Sequence, residues 1–60
     1  MLTPEIEQLI GYALADGTLS EKERSVLMRK AQEAGVDMDE FEMILDARLY
    51  ERKKELQKEQ

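Results

Sequence analysis

Apolar residues recur at helical spacing in three stretches of the chain, each giving one apolar face. In the first stretch they are Ile6, Leu9, Ile10, Ala13 and Leu14. In the second they are Leu27, Ala31 and Ala34, flanked by Val26 or Met28. In the third they are Phe41, Ile44, Leu45 and Leu49. The pattern predicts an all-α fold, a three-helix unit whose apolar faces pack together.

Local capping signals mark the starts of the first two helices. Thr3 can accept a hydrogen bond from a free amide while proline occupies the first turn, and the first helix should then run to about Asp16. Ser20, followed by Glu23, has the spacing of a capping box. The second helix is therefore predicted from about Glu21 to Ala34.

The link between the second and third helices is short and well specified. Gly35 supplies a left-handed residue after the second helix, so that Val36 can fold back on Ala31 as in a Schellman ending. Asp37 is placed to cap the third helix, with Glu40 three residues later. A link this short forces the second and third helices into a helix-helix hairpin.

The third helix is expected to continue into a charged ending. Residues 51–60 favour a helix but contain a single aliphatic residue, Leu56. We therefore predict a three-helix unit over residues 1–50 and a charged, solvated helical extension or linker over residues 51–60. Leu49 and Leu56 are one heptad apart, which is too little to indicate a coiled coil.

Composition narrows the functional classes. The 60 residues include no cysteine and no histidine, which removes disulfides, thiolate chemistry and the usual zinc ligands and proton shuttles. No nucleophile with a base and no glycine-rich phosphate loop is evident, so we predict that the chain is not an enzyme and has no cofactor. No apolar run approaches the length of a membrane span, and we expect a cytoplasmic protein that does not insert into membranes.

The charge is acidic and unevenly distributed. The net charge is −5, with −6 on residues 1–50 and +1 on residues 51–60. The hairpin has the spacing of a DNA-binding helix-turn-helix, but its second helix begins with carboxylates where phosphate binding needs lysine or arginine. We therefore expect no nucleic-acid partner.

Three parts of the sequence carry a family resemblance. They are the segments Ala13 to Glu23, Ala34-Gly35-Val36-Asp37 and Asp39-Glu40-Phe41. Over about residues 6–49 the chain resembles the tellurite-resistance TerB family. The resemblance implies an all-helical bacterial domain linked with tellurite and other chemical stress, phage-related functions and membrane-associated complexes. TerB-like domains carry the helical motif in two copies, whereas this chain carries one.

The acidic turn after the first helix is the candidate metal site. The resemblance implies metal binding at Asp16, Glu21 and Glu23, and the same turn is similar to the second half of an EF-hand calcium loop. Tyr12 and Leu14 occupy loop positions one and three and offer no carboxylate. Helix capping therefore explains the acidic residues better than a metal, and weak binding of Ca²⁺ or another divalent cation is the alternative.

The preferred functional prediction is a protein-interaction or assembly module of TerB-like type. Its partner is expected to be another protein or a second copy, because a chain this short has a thin core and holds half of the two-copy unit. A homodimer is predicted through Gly11, Leu49 and Leu56, where the glycine indicates close approach by a neighbouring backbone or is simply tolerated. The alternatives are a weak divalent-cation-binding stress module and a structural cap or tether for a downstream domain.

Overall fold

The computed structural model describes residues 2–58, which form three α-helices. They are α1, Pro4–Ala13; α2, Glu21–Glu33; and α3, Met38–Lys58. No strand occurs among these residues, so the predicted all-α, three-helix unit with an extended third helix is confirmed. The last two residues of the predicted extension lie outside the described range.

Side-chain caps hold the helix starts at the predicted positions. The hydroxyl of Thr3 accepts a hydrogen bond from the amide three residues later, at 3.2 Å. Ser20 and Glu23 form both bonds of a capping box, at 3.1 and 3.0 Å. Asp37 accepts a bond from the Glu40 amide at 3.0 Å. Each cap satisfies an amide that the first helical turn leaves without a partner.

The helix α1 ends at Ala13, earlier than the predicted end near Asp16. The carboxylate of Asp16 accepts bonds from both the amide and the hydroxyl of Thr18, which offers the backbone a local alternative to another helical turn. Gly17 then adopts a φ of +79°, and its amide donates to the Leu14 carbonyl at 3.0 Å. These bonds turn the chain towards α2.

The predicted Schellman ending of α2 is confirmed. The amide of Val36 donates to the Ala31 carbonyl at 3.0 Å, and that of Gly35 donates to the Gln32 carbonyl at 3.1 Å. The φ of Gly35 is +80°. Val36 is half-buried against the core, whereas Ala34 is exposed, so the prediction that Ala34 faces the core is wrong. The helix has ended by Ala34, and the Schellman turn brings Val36 to the core in its place.

Seven apolar side chains form the buried core, and all seven belong to the predicted stripes. They are Ile6, Ile10, Leu14, Leu27, Ala31, Phe41 and Leu45. Among the other predicted positions, Leu9, Ala13 and Leu49 are half-buried and pack against this core. The core thus lies where the three helical stripes meet.

The end of α3 contacts the turn that follows α1. The Nε and Nη2 atoms of Arg52 donate to the Ala15 carbonyl at 3.1 and 2.9 Å. The Cδ1 atom of Leu56 lies 2.7 Å from the position that a Cβ would take on Gly17. Arg52 and Leu56 therefore pack on the helical unit, while the other side chains of residues 51–58 are exposed.

Two surface ion pairs connect α3 to the other helices. Arg24 of α2 lies 3.0 Å from Asp46, and Glu7 of α1 lies 2.7 Å from Arg48. All four side chains are substantially exposed, so solvent screens both pairs. They help to set the orientation of α3 more than they hold the fold together.

Candidate interaction surfaces

A groove with a mostly apolar lining lies between α1 and α2. We call it the α1–α2 groove, and its volume is about 330 Å³. It is lined by Leu9, Tyr12, Ala13, Lys22, Glu23, Val26 and Leu27. Apolar clefts with a few polar groups are typical of binding sites.

The position of the groove follows from the helical stripes. Leu27 is buried in the core, whereas Leu9, Ala13 and Val26 are half-buried, which leaves part of their apolar surface open to the groove. Tyr12 lies outside the predicted core stripe and is 72% exposed. The Gln8 side chain donates to the Tyr12 hydroxyl at 3.5 Å. This exposure leaves most of the Tyr12 ring available to contact a partner.

A second apolar surface lies on the side of α3 that faces away from the core. Met43, Ala47 and Tyr50 are spaced four and three residues apart, which places them on one helical face. We call these three residues the outer α3 stripe. Met43 is 72% exposed and Tyr50 is 68% exposed, while Phe41 and Leu45 on the opposite face are buried. This stripe was not predicted from the sequence, although its spacing could have revealed it.

A shallow groove of about 400 Å³ continues the outer α3 stripe towards the end of the helix. Its lining comprises Ala47, Tyr50, Glu51, Lys54, Glu55 and Lys58. The small side chain of Ala47 leaves room between the larger side chains on either side of it. This surface can therefore receive an apolar side chain, with charged groups around the contact.

Two of the three residues predicted to bind a metal, Asp16 and Glu23, are engaged in local hydrogen bonds. The two bonds from Thr18 lower the pKa of Asp16, because they stabilise its carboxylate. Glu23 accepts a bond from the Ser20 amide, and Glu21 is exposed in the first turn of α2. No group of three or more side chains suited to metal binding occurs within residues 2–58. The metal site stays a prediction.

The three residues predicted to form a homodimer interface have different surroundings. Gly11 is exposed, and apart from its chain neighbours and the adjacent backbone of its own helix no atom of the described residues lies within 4 Å of a Cβ added there. The close backbone approach expected at Gly11 is therefore absent within the described part of the chain. Leu49 packs against the core and Leu56 against Gly17, so both already use part of their apolar surface inside the chain. Their role between two copies stays a prediction.

No helix within residues 2–58 combines the length and the apolar character needed to cross a bilayer. Comparison of the chain with protein-family models, curated proteins and solved structures gives no match. The TerB resemblance therefore stays a prediction.

Proposed function

We propose that this chain is a protein-interaction module whose α1–α2 groove binds an amphipathic helix with basic side chains from another protein. The observation that carries the proposal is the apolar lining of the groove beside the exposed ring of Tyr12. The proposal keeps the predicted class of function and assigns it to a surface. The stress-related or phage-related role implied by the TerB resemblance is a further proposal, for which these surfaces identify no partner.

The shape and chemistry of the groove favour a helical ligand. The groove lies between two helices, as does the space that a third packed helix occupies in a bundle. Leu9, Ala13 and Val26 offer apolar contacts, and Tyr12 offers a large ring with few rotatable bonds. Tyrosine is enriched at protein interfaces for this reason.

Charge favours a basic ligand. Residues 1–50 carry a net charge of −6, whereas Lys22 and Glu23 at the groove itself have opposite charges. The field of the domain therefore attracts basic segments and repels acidic ones, and this steering acts mainly on the association rate. The ligand expected is a helix with an apolar stripe for the groove and lysine or arginine on its flanks.

The first test uses a fluorescein-labelled synthetic helix with leucines at i, i+3, i+4 and i+7 and lysines elsewhere. Fluorescence anisotropy should show saturable binding to the chain, weakened about tenfold or more by Tyr12→Ala, which corresponds to about 1.4 kcal/mol. Tyr50→Ala is the matched control, because it removes an equally exposed ring from the outer α3 stripe. Equal binding by the parent chain and Tyr12→Ala would contradict the proposal.

Two further measurements separate specific from general binding. A second peptide with glutamate in place of lysine should bind more weakly, and equal binding would remove the argument from charge. The chain contains two tyrosines, one at each apolar surface. NMR titration with the basic peptide should therefore shift the ring signals of Tyr12 and leave those of Tyr50 in place. Shifts at Tyr50 alone would place the binding on α3 and overturn the assignment to the groove.

A further inference from the structure

The outer α3 stripe is an exposed apolar surface that the proposed peptide-binding function leaves unused. We infer that this stripe pairs with the same stripe of a second copy, with the two α3 helices antiparallel about a two-fold axis. The inference is independent of the proposed function, because the two surfaces lie on different helices. It assigns the interface to residues other than Gly11, Leu49 and Leu56.

The charge along α3 changes sign near the middle of the stripe. Residues 38–46 contain four acidic and no basic side chains, for a net charge of −4. Residues 47–58 contain five basic and two acidic side chains, for a net charge of +3. Arg48 and Arg52 are bound inside the chain, so the outer side of this end carries three lysines and two glutamates, for a net charge of +1. Antiparallel pairing places the acidic start of each helix against the basic end of the other. Parallel pairing would place like charges together, so the charge pattern selects both a second copy and its direction.

One antiparallel register aligns the apolar stripe and one pair of opposite charges together. When the helices cross beside Ala47, Met43 lies opposite Tyr50 of the second copy, and Asp39 lies opposite Lys54 of the second copy. The small side chain of Ala47 allows the helix axes to approach to about 8 Å. Contact between a methionine sulfur and an aromatic ring is favourable. Two-fold symmetry forms each of these contacts twice.

The contacts inside the chain leave this face available. Asp46 lies near the crossing point, and its charge is offset by Arg24 at 3.0 Å. Arg48 and Arg52 point to the inner side, where they bind Glu7 and the Ala15 carbonyl. The hollow beside Ala47 and Tyr50 supplies a place for the Met43 side chain of the second copy. Pairing therefore requires no rearrangement of the described fold.

The first test is sedimentation equilibrium of the full chain over a range of concentrations. The apparent mass of the parent chain should rise towards that of a dimer. Ala47→Glu should weaken association about tenfold or more, because it brings two carboxylates together at the two-fold axis. Ala34→Glu is the matched control, since it changes an exposed alanine outside the stripe. A fully helical parent chain that stays monomeric at every concentration would overturn the inference.

Charge exchange tests the direction of pairing. Asp39→Lys and Lys54→Asp should each weaken association, and the double variant should restore it, because the exchanged charges again face each other. Circular dichroism on the same samples reports whether each variant remains helical. Failure of the double variant to recover association while it remains helical would rule out the antiparallel register.

Cross-linking tests the location of the interface without changing its charge. The chain has no cysteine, so Ala47→Cys introduces a single thiol near the crossing point. Under mild oxidation it should form a disulfide-linked dimer faster than Gly11→Cys, which places the thiol on α1. Faster cross-linking by Gly11→Cys would favour the interface predicted from sequence instead. Tyr12→Ala should leave self-association unchanged, which separates failure of this inference from failure of the groove proposal.

Discussion

Replacing Gly17 with alanine tests whether the end of α3 packs on the turn after α1. The φ of Gly17 is +79°, and a left-handed conformation costs a residue with a Cβ about 1–2 kcal/mol. The added Cβ would also lie 2.7 Å from the Cδ1 of Leu56, well inside contact distance. Leu56 must then move away and lose part of its burial, which we estimate at about 1 kcal/mol from the value of a fully buried leucine. The expected total is about 2–3 kcal/mol.

Gly35→Ala provides a matched control for the cost of placing a residue with a Cβ in a left-handed conformation. The φ of Gly35 is +80°, and apart from its two chain neighbours no atom of residues 2–58 lies within 4 Å of a Cβ added there. The left-handed conformation alone should therefore lower the stability of this variant, by about 1–2 kcal/mol. The difference between the two variants isolates the contact with Leu56.

Thermal unfolding followed by circular dichroism measures both changes. For a domain of this size, about 1 kcal/mol corresponds to about 4–8 °C in Tm, so Gly17→Ala should melt that much below Gly35→Ala. When Leu56 is also replaced with alanine, Gly17→Ala and Gly35→Ala should lower the stability of the chain by the same amount. Equal costs in the parent chain would refute the packing of α3 on the turn. A core of this size supplies about 3–5 kcal/mol, so the melts should begin at low temperature.

Three further predictions test the other local features. Gly11→Ala should stabilise the chain by about 1 kcal/mol, because Gly11 is helical and exposed; a loss of stability in thermal unfolding would show a hidden close contact. Ser20→Ala and Asp37→Ala should each cost about 0.5–2 kcal/mol in the same assay, and no loss in either would remove the assigned caps. The hydrogen bond from Arg48 lowers the pKa of Glu7 in the folded chain. The Glu7 carboxylate therefore stabilises the fold at pH values above its unfolded pKa, and this stabilisation is lost as the pH falls through its folded pKa. Urea unfolding of Glu7→Gln should therefore show a weaker loss of stability on acidification than the parent chain, and identical pH profiles would contradict this assignment.

The helix starts and the core could be predicted from sequence because both depend on neighbours along the chain. A cap such as Ser20 bonds to an amide three residues away, and a core position such as Ala31 repeats the spacing of its own helix. Gly35 likewise closes α2 through bonds within the same short segment. These features need no knowledge of how the helices pack.

The features that were missed depend on contacts between distant segments or on competition at a helix end. Arg52 bonds to a carbonyl 37 residues earlier, and Leu56 contacts Gly17, which is similarly distant along the chain, so the charged ending showed no local sign of packing. The end of α1 was placed too late because the periodicity continues through Leu14, whereas the bonds to Asp16 end the helix sooner. The α1–α2 groove depends on how far apart two helices lie, which spacing along the chain does not give.

The two apolar surfaces have charge environments that select different ligands. Exposed apolar patches on a small domain promote unselective association, and a net charge of −5 opposes it by repelling whole copies from one another. Two copies can pair through the outer α3 stripe despite that repulsion when their α3 helices are antiparallel, because the acidic start of each helix then faces the basic end of the other. The α1–α2 groove lacks such an alternation and lies in a domain of net negative charge, so it favours a basic segment from another protein. If both proposals hold, a dimer joined through α3 would present two grooves and bind a ligand that carries two basic helices more tightly than a ligand that carries one.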